Sequence, residues 1–417
     1  MRRLIVLAAL AFALPVHAAP MFVPLGFLPD ATESYATALS ADGSTVVGAS
    51  YGEDAGEAFR WTQSGGLQGL GSPGGDFFDA LFVSADGSMV AGNRQSATAD
   101  EASRWTRSGG VQGLGFLPGG DSSTATAFSA DGSAVVGGGS SNDYFTEAFR
   151  WTQIGGVQGL GVLTGGTYSD AEAVSADGST IAGRSGGGSL TEEAFRWTQS
   201  GGMQNLGILP GFDYSYAGCV SADGSVVVGN SFGASGAVHE AFRWTQSGGI
   251  QGLGFLPGGN LSLARTASAD GSVVVGDGNS GTSQQEAFRW TQAGGVQGIG
   301  FVDGTAISIP RAVSGDGSII VGWGSGESVE QDAFIWDSTN GIRSLQEVLT
   351  SLGLDLDGWV LEEASFVSFD GQTIVGTGTN PNGQQEAWLA MIPEPGTGLL
   401  VTAGVLGLSA SRRRRAN

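Results

Sequence analysis

The sequence predicts an all-β fold: eight repeats of a four-strand unit, closed into an eight-bladed β-propeller by the N-terminal strand. Three observations carry this. A Ser-Ala-Asp-Gly-Ser phrase, with small variations, recurs with its aspartate at Asp42, Asp86, Asp131, Asp177, Asp223, Asp270, Asp316 and Asp370, at intervals of 44 to 54 residues. A second phrase, Glu-Ala-Phe-Arg-Trp or a close variant, starts at Glu57, Glu101, Glu147, Glu193, Glu240, Glu286, Asp332 and Glu386 and keeps step with the first. The ends of the repeat region are also out of phase in a complementary way. The last unit stops after its third strand signal, Glu386 to Met391, and the stretch Val23 to Pro29 matches the missing fourth strand as it occurs at Gln112 to Pro118. An N-terminal strand that completes the final unit removes the open edges of a linear stack.

Within a unit, residues 166–207 show the four strands in order. Ala171 to Ser175 is a short strand, and Asp177-Gly178 is a turn dipeptide that favours a tight two-residue hairpin, because both central positions accept φ > 0. Ser179 to Gly183 is the second strand, β-branched as strands prefer. After a Gly/Ser-rich loop comes Glu193 to Thr198, whose period of two sets Phe195 and Trp197 on one face and Ala194 and Arg196 on the other. Gly201-Gly202 then turns the chain into Met203 to Gly207, the fourth strand. One such unit cannot bury two apolar faces alone, so neighbours must stack. The recurring tryptophans Trp61, Trp105, Trp151, Trp197, Trp244, Trp290 and Trp336 are expected to serve that stacking, as structural residues of the repeat. One stretch, 341–364, is longer than its counterparts. Ser344 to Leu352 within it has apolar residues at helical spacing, and it is expected to cap one rim near the closure.

Composition agrees with many short strands and tight turns. Gly is 74 of 417 residues and hydrophobic residues are 41%, which is too apolar for disorder. Every basic residue is arginine, and the formal charge is −22. Six of the arginines lie at the two ends, so the repeat region is more acidic still. Such a surface repels nucleic acid and anionic lipid, and suits a solvated exterior protein or one that collects cations. The single cysteine, Cys219, permits no intrachain disulfide, and it stands where other units have Ala38, Ala127, Ala173 or Ala312. It reads as a small core residue. Two histidines are too few for His/Cys metal clusters.

The ends read as addresses. Residues 1–18 form a signal peptide: Arg2 and Arg3, an apolar run Leu4 to Leu14, Pro15, then small residues around His17. Residues 392–417 carry Pro393-Glu394-Pro395, an apolar run from Gly396 to Ala410, and Arg412-Arg413-Arg414-Arg415. A short apolar run before an arginine cluster is a stop-transfer pattern, expected to act as a transmembrane helix that anchors the chain transiently in the inner membrane. The order of these three features resembles the PEP-CTERM sorting signal. That resemblance implies recognition and processing by an exosortase in Gram-negative bacteria that make exopolysaccharide.

The repeat itself, Ser-Ala-Asp-Gly-Ser followed by Glu-Ala-Phe-Arg-Trp-Thr, Gly-Gly and Leu-Gly, is similar to the HAF repeat of bacterial extracellular proteins. The resemblance covers nearly all of residues 22–391 and implies an exported protein without supplying an activity. The name-giving His-Ala-Phe is Glu-Ala-Phe or Asp-Ala-Phe here, with Ser103 and Trp388 replacing Phe, so no property of that histidine carries over.

No catalytic, cofactor or metal residue is identified. One aspartate per hairpin does not bring the six to eight oxygens that calcium needs to one point, so the Asp-Gly pairs read as turns. Glu147 and Arg150 have counterparts in most units, and a group that repeats with the blades reads as an ion pair or an arginine stacked on tryptophan. His239 reads as a loop histidine without a Ser/Asp partnership. The expected function is that of an exported, non-enzymatic repeat protein of the cell surface or extracellular matrix. It would act as a scaffold or adhesin, or bind exopolysaccharide or surface proteins, and not nucleic acid. The alternative is a carbohydrate-active propeller enzyme with an asymmetric site in its loops.

Overall fold

A computed structural model of the chain describes residues 19–393, except 54–55, 72–76, 97–98, 189, 235, 237, 282–283 and 328. The expected signal peptide, and Glu394, Pro395 and Arg412 to Arg415 of the expected sorting motif, lie outside the described residues. No described helix is long and apolar enough to cross a membrane.

The strands form eight four-stranded antiparallel sheets arranged in a ring. Each is a blade, with strands a to d from the channel outward. Blade 4, for example, consists of Tyr168–Val174, Thr180–Gly187, Leu190–Thr198 and Gly202–Gly207. The a strands of neighbouring blades pack on one another around the channel, including Glu33–Leu39 of blade 1 against Val360–Val367 of blade 8. Blade 8 is closed as the phase of the ends predicts. Its d strand is Met21–Pro24, paired antiparallel with Gln385–Met391 in the register Met21↔Met391 to Pro24↔Trp388. Phe22 lies edge-on to Trp359 at 5.2 Å beside this seam.

The core is not central but divided into layers between blades. The aromatic residues of the c strands face the preceding blade, whose Ala and Val side chains face them. Phe195 and Trp197 thus pack against Val136 and Ala148, and Phe242 and Trp244 against Ala182 and Ala194. The alternation in the sequence predicts this division of faces. In blade 8 the phenylalanine position is filled by Trp388, fully buried against Leu345, Leu349 and Trp359.

The segment 341–364 begins with the ordinary d strand of blade 7, Gly341–Ser344. The helix that follows, Leu345–Ser351, does not sit on a rim as a lid. Its Leu345 and Leu349 are wedged into the layer between blades 7 and 8. Gln346 fixes it by donating to the Trp359 carbonyl at 2.9 Å and accepting from the Leu361 N–H at 3.1 Å.

Candidate functional site

The recurring residues hold blades together. At the a–b connection of blade 1, Ser40 Oγ donates to Asp42 Oδ1 at 2.6 Å, the Ser44 N–H donates to the same oxygen at 3.0 Å, and the Thr45 N–H donates to Ser40 Oγ at 2.9 Å. The same pattern is built around Asp86, Asp131, Asp177, Asp223, Asp270, Asp316 and Asp370. The connection is not the two-residue hairpin expected from Asp-Gly. Strand a ends at Leu39 and strand b starts at Thr45, and only the glycine adopts positive φ, from 63° to 77° in the eight blades. The aspartate keeps negative φ because its carboxylate has to turn back onto the serines.

These bonds hold the carboxyls of Asp42, Asp86, Asp131, Asp177, Asp223, Asp270 and Asp316 below the ordinary value. For Asp86, Asp177, Asp223 and Asp270 the largest cause is the N–H of the serine two residues on. For Asp42, Asp131 and Asp316 partial burial acts upward, and the serine bonds together outweigh it. Next to these aspartates a belt of main-chain bonds closes around the channel mouth. It runs from Asp42 N–H to Ala85 C=O, Ala85 to Ala130, Asp131 to Ala176, Ala176 to Ala222, Ala222 to Ala269, Ala269 to Gly315, and Gly315 to Phe369. Phe369 N–H to Ala41 C=O, at 2.9 Å, completes it. The aspartates are therefore dispersed in turns. Among the described residues no group of three or more His, Cys, Asp or Glu is placed to hold a metal.

The Glu-Ala-Phe-Arg-Trp phrase is occupied in the same way. Glu57, Glu101, Glu147, Glu240, Glu286 and Glu386 each accept the N–H of a glycine at or just past the end of strand d. Arg60, Arg150, Arg196, Arg243 and Arg289 reach across the seam to the glycine carbonyl of the next blade's Asp-Gly. Arg104, Arg196 and Arg289 also lie over Trp151, Trp244 and Trp336, at 4.7, 5.9 and 5.8 Å. Trp61, Trp151, Trp197, Trp244 and Trp290 are buried, and Trp105 and Trp336 are half-buried in the same layers. Cys219 is half-buried beside Ala264 and Ala267, and burial pushes its thiol up. His239 is the first residue of a c strand, not a loop residue, with its ring 4.6 Å from Phe232.

A further recurring contact escaped the sequence reading. A serine on strand a, one blade on, accepts an N–H from the preceding c strand and, in blade 5, donates to a carbonyl at the end of strand d. Ser215 accepts from Ala194 N–H at 2.9 Å and donates to Gly207 C=O at 2.8 Å. Ser34, Ser123, Ser169, Ser262 and Ser308 occupy the same place and accept the corresponding N–H. Phe78 and Leu361 replace it in blades 2 and 8. The signal was present in the sequence: each of these serines leads its turn aspartate by eight residues.

What varies most from unit to unit is the b–c loops and positions on strands a and b such as Asp170, Glu172 and Arg184. Between blades 3 and 4 these positions enclose a cavity of about 630 Å³. Its blade 3 wall is small and hydroxylic: Thr124, Thr126, Gly138, Gly139, Ser140 and Ser141. Tyr144 and Phe145 stand at its rim, and Phe145 is 93% exposed. Gly138 leaves the space that Asp170 occupies, since a Cβ there would collide with its carboxylate. The blade 4 wall is ionic. Arg184 stands 3.7 Å from each of Asp170, Glu172 and Glu192, too far for a hydrogen bond. Contact pairs elsewhere, such as Arg265 with Asp277 at 2.6 Å, are closed. Desolvation is the largest influence on Asp170 and Glu172 and pushes both above ordinary carboxyl values. Tyr168 donates to Glu192 at 2.5 Å, and burial first, then this bond, pushes its phenol to about 12. Arg184 Nε is buried without a hydrogen-bond partner. The cavity therefore presents many acceptors, few free donors and an excess of negative charge.

No protein-family model matches the chain, and no curated protein matches it. Solved structures do. One from a study of two prolyl endopeptidases is 13% identical with a TM-score of 0.55, covering 83% of this chain and 55% of that one, so this chain spans about half the length of that protein. The Dos1 propeller is 11% identical, with a TM-score of 0.52 over 89% of this chain and 95% of that one. An oligogalacturonate lyase from Vibrio parahaemolyticus is 11% identical, with a TM-score of 0.51 over 90% and 99%. At such identities the likeness is one of fold alone: this chain is a β-propeller of eight blades.

Proposed function

We propose that the chain is an exported, exosortase-sorted, non-enzymatic propeller of the cell surface or extracellular matrix, which binds exopolysaccharide through the cavity between blades 3 and 4. The observation that carries this reading is the division of labour between recurring and varying residues. The recurring Asp, Glu, Arg and Ser are consumed by turns and seams, whereas the combination of Asp170, Glu172 and Arg184 at the cavity occurs in no other unit. Hydroxyl-rich walls with an exposed aromatic at the rim suit a sugar chain, whose hydroxyls bond to the walls and whose ring face stacks on the aromatic. The leader and tail motifs support export and sorting, and the HAF-like repeat supports an extracellular role.

The competing reading is a glycan-cleaving enzyme. It would use Asp170 and Glu172, whose raised carboxyl pKa values are the kind an acid catalyst needs. The test is incubation of purified residues 19–393, which hold all eight blades, with the source organism's own exopolysaccharide. Retention of the polysaccharide without new reducing ends is expected. Turnover that disappears in Asp170→Asn or Glu172→Gln would establish the enzyme instead. Mass spectrometry of the secreted protein, searching for cleavage near Pro393, checks the sorting step.

A further inference from the structure

We infer that the cavity between blades 3 and 4 selects a sugar unit bearing a free ammonium group, an amino sugar, over neutral sugars and uronates. The inference rests on the glycan-binding reading above and adds the charge of the ligand. Three features on different elements point the same way. First, Asp121, Asp170 and Glu172 line the cavity against one cation, Arg184. Second, that cation leaves its carboxylates unbonded: at 3.7 Å it makes no hydrogen bond to Asp170 or Glu172, and no other described group donates to either. Half-buried carboxylates without donors are costly, and a ligand ammonium supplies three donors and the compensating charge at once. Third, Phe145 at the rim is 93% exposed and is placed to stack on the face of a pyranose ring held at the carboxylates. A uronate would bring a second carboxylate to Asp170 and Glu172 with only the already shared Arg184 to meet it.

Calorimetric titration of the purified chain with three tetrasaccharides tests this: a β-1,4-linked glucosamine oligomer, cellotetraose and tetragalacturonate. The glucosamine oligomer is expected to bind about tenfold more tightly than cellotetraose, the scale of one charge-assisted hydrogen bond, and tetragalacturonate to give no saturation. Asp170→Asn with Glu172→Gln should erase the amine preference, so that the glucosamine oligomer binds no more tightly than cellotetraose to the same variant. Phe145→Ala, at a side chain too exposed to support the fold, should weaken both binders about tenfold. Tetragalacturonate binding as tightly as the glucosamine oligomer overturns the inference, as does an amine preference that survives the double substitution. If cellotetraose or the native polysaccharide binds without any amine preference, only this inference fails. If neither these three sugars nor the native polysaccharide bind, the glycan-binding function itself falls. Spermine binding as tightly as the glucosamine oligomer, insensitive to Phe145→Ala, would mark a cation site rather than a sugar site and overturn the inference too.

Discussion

Replacing Ser215 by alanine should expose how much of the ring's stability resides in single atoms at the seams. Ser215 is fully buried between blades 4 and 5, and its hydroxyl satisfies two main-chain groups of the preceding blade. Alanine removes the hydroxyl without leaving space for a replacement. Ala194 is itself fully buried, so its N–H is left without an acceptor, whereas Gly207 is half-buried and its carbonyl recovers solvent. The loss is thus dominated by one stranded donor, about 1–3 kcal/mol. Urea unfolding of the purified chain, followed by tryptophan fluorescence, gives the total. Hydrogen exchange at the Ala194 amide assigns it to the seam. Ser215→Cys, which keeps a weak donor and acceptor, should lose less. A loss below about 0.5 kcal/mol, with the Ala194 amide as protected as in the parent, would refute the reasoning.

Three further outcomes are expected. Because the turn aspartates Asp177 and Asp223 are more acidic folded than unfolded, each favours the fold above the ordinary aspartate value of 3.8 and loses that contribution as pH falls through its lower folded value; melting temperatures measured downward from pH 6 should drop there, and drop less in Asp177→Asn with Asp223→Asn. Asp170 and Glu172 have the opposite sign: their raised values mean that the charged forms disfavour the fold at neutral pH. Asp170→Asn with Glu172→Gln should therefore melt higher than the parent at pH 7, and the gap should close on acidification; a lower melting temperature at pH 7 would show that the carboxylates are structural. Phe22→Ala, which removes the half-buried ring from Trp359 and Trp388, should cost about 2 kcal/mol, less than a fully buried phenylalanine, and increase proteolysis near the N terminus.

The repeat made the blades legible because each strand pair is local: Asp-Gly spacing, Phe/Trp alternation and the phase of the ends are all contained within one unit or its register. What joins one blade to the next was harder to read. A serine eight residues before each turn aspartate is visible in the sequence, but its partners Ala194 and Gly207 belong to another blade, and nothing local marks them as buried. The Asp-Gly dipeptide marks a turn but not its form, because the carboxylate's bonds to Ser175 and Ser179 override the dipeptide's hairpin preference. The cavity could be sensed only as a departure, Asp170-Ala171-Glu172 where the preceding unit has Thr124-Ala125-Thr126. The seat of the Asp170 carboxylate depends on Gly138, on a different blade, and no period predicts that meeting.

Arginine is absent from the c strand at two successive places, Ile335 and Leu389, which border the seams on either side of blade 8. Each of those seams carries a notch, of about 500 and 580 Å³, beside the turn that an arginine clamps in five other blades. Blade 8 is also the one built from both extremities, with Met21 and Met391 side by side. Synthesis must therefore pass Met391 before the circle can lock, and the entropy of joining such distant partners makes this step late. Until then Gln385–Met391 presents a bare edge, ready to accept a strand from another molecule. The same stretch that seals the finished ring is thus the one through which an unfinished chain is most exposed to entanglement with its neighbours.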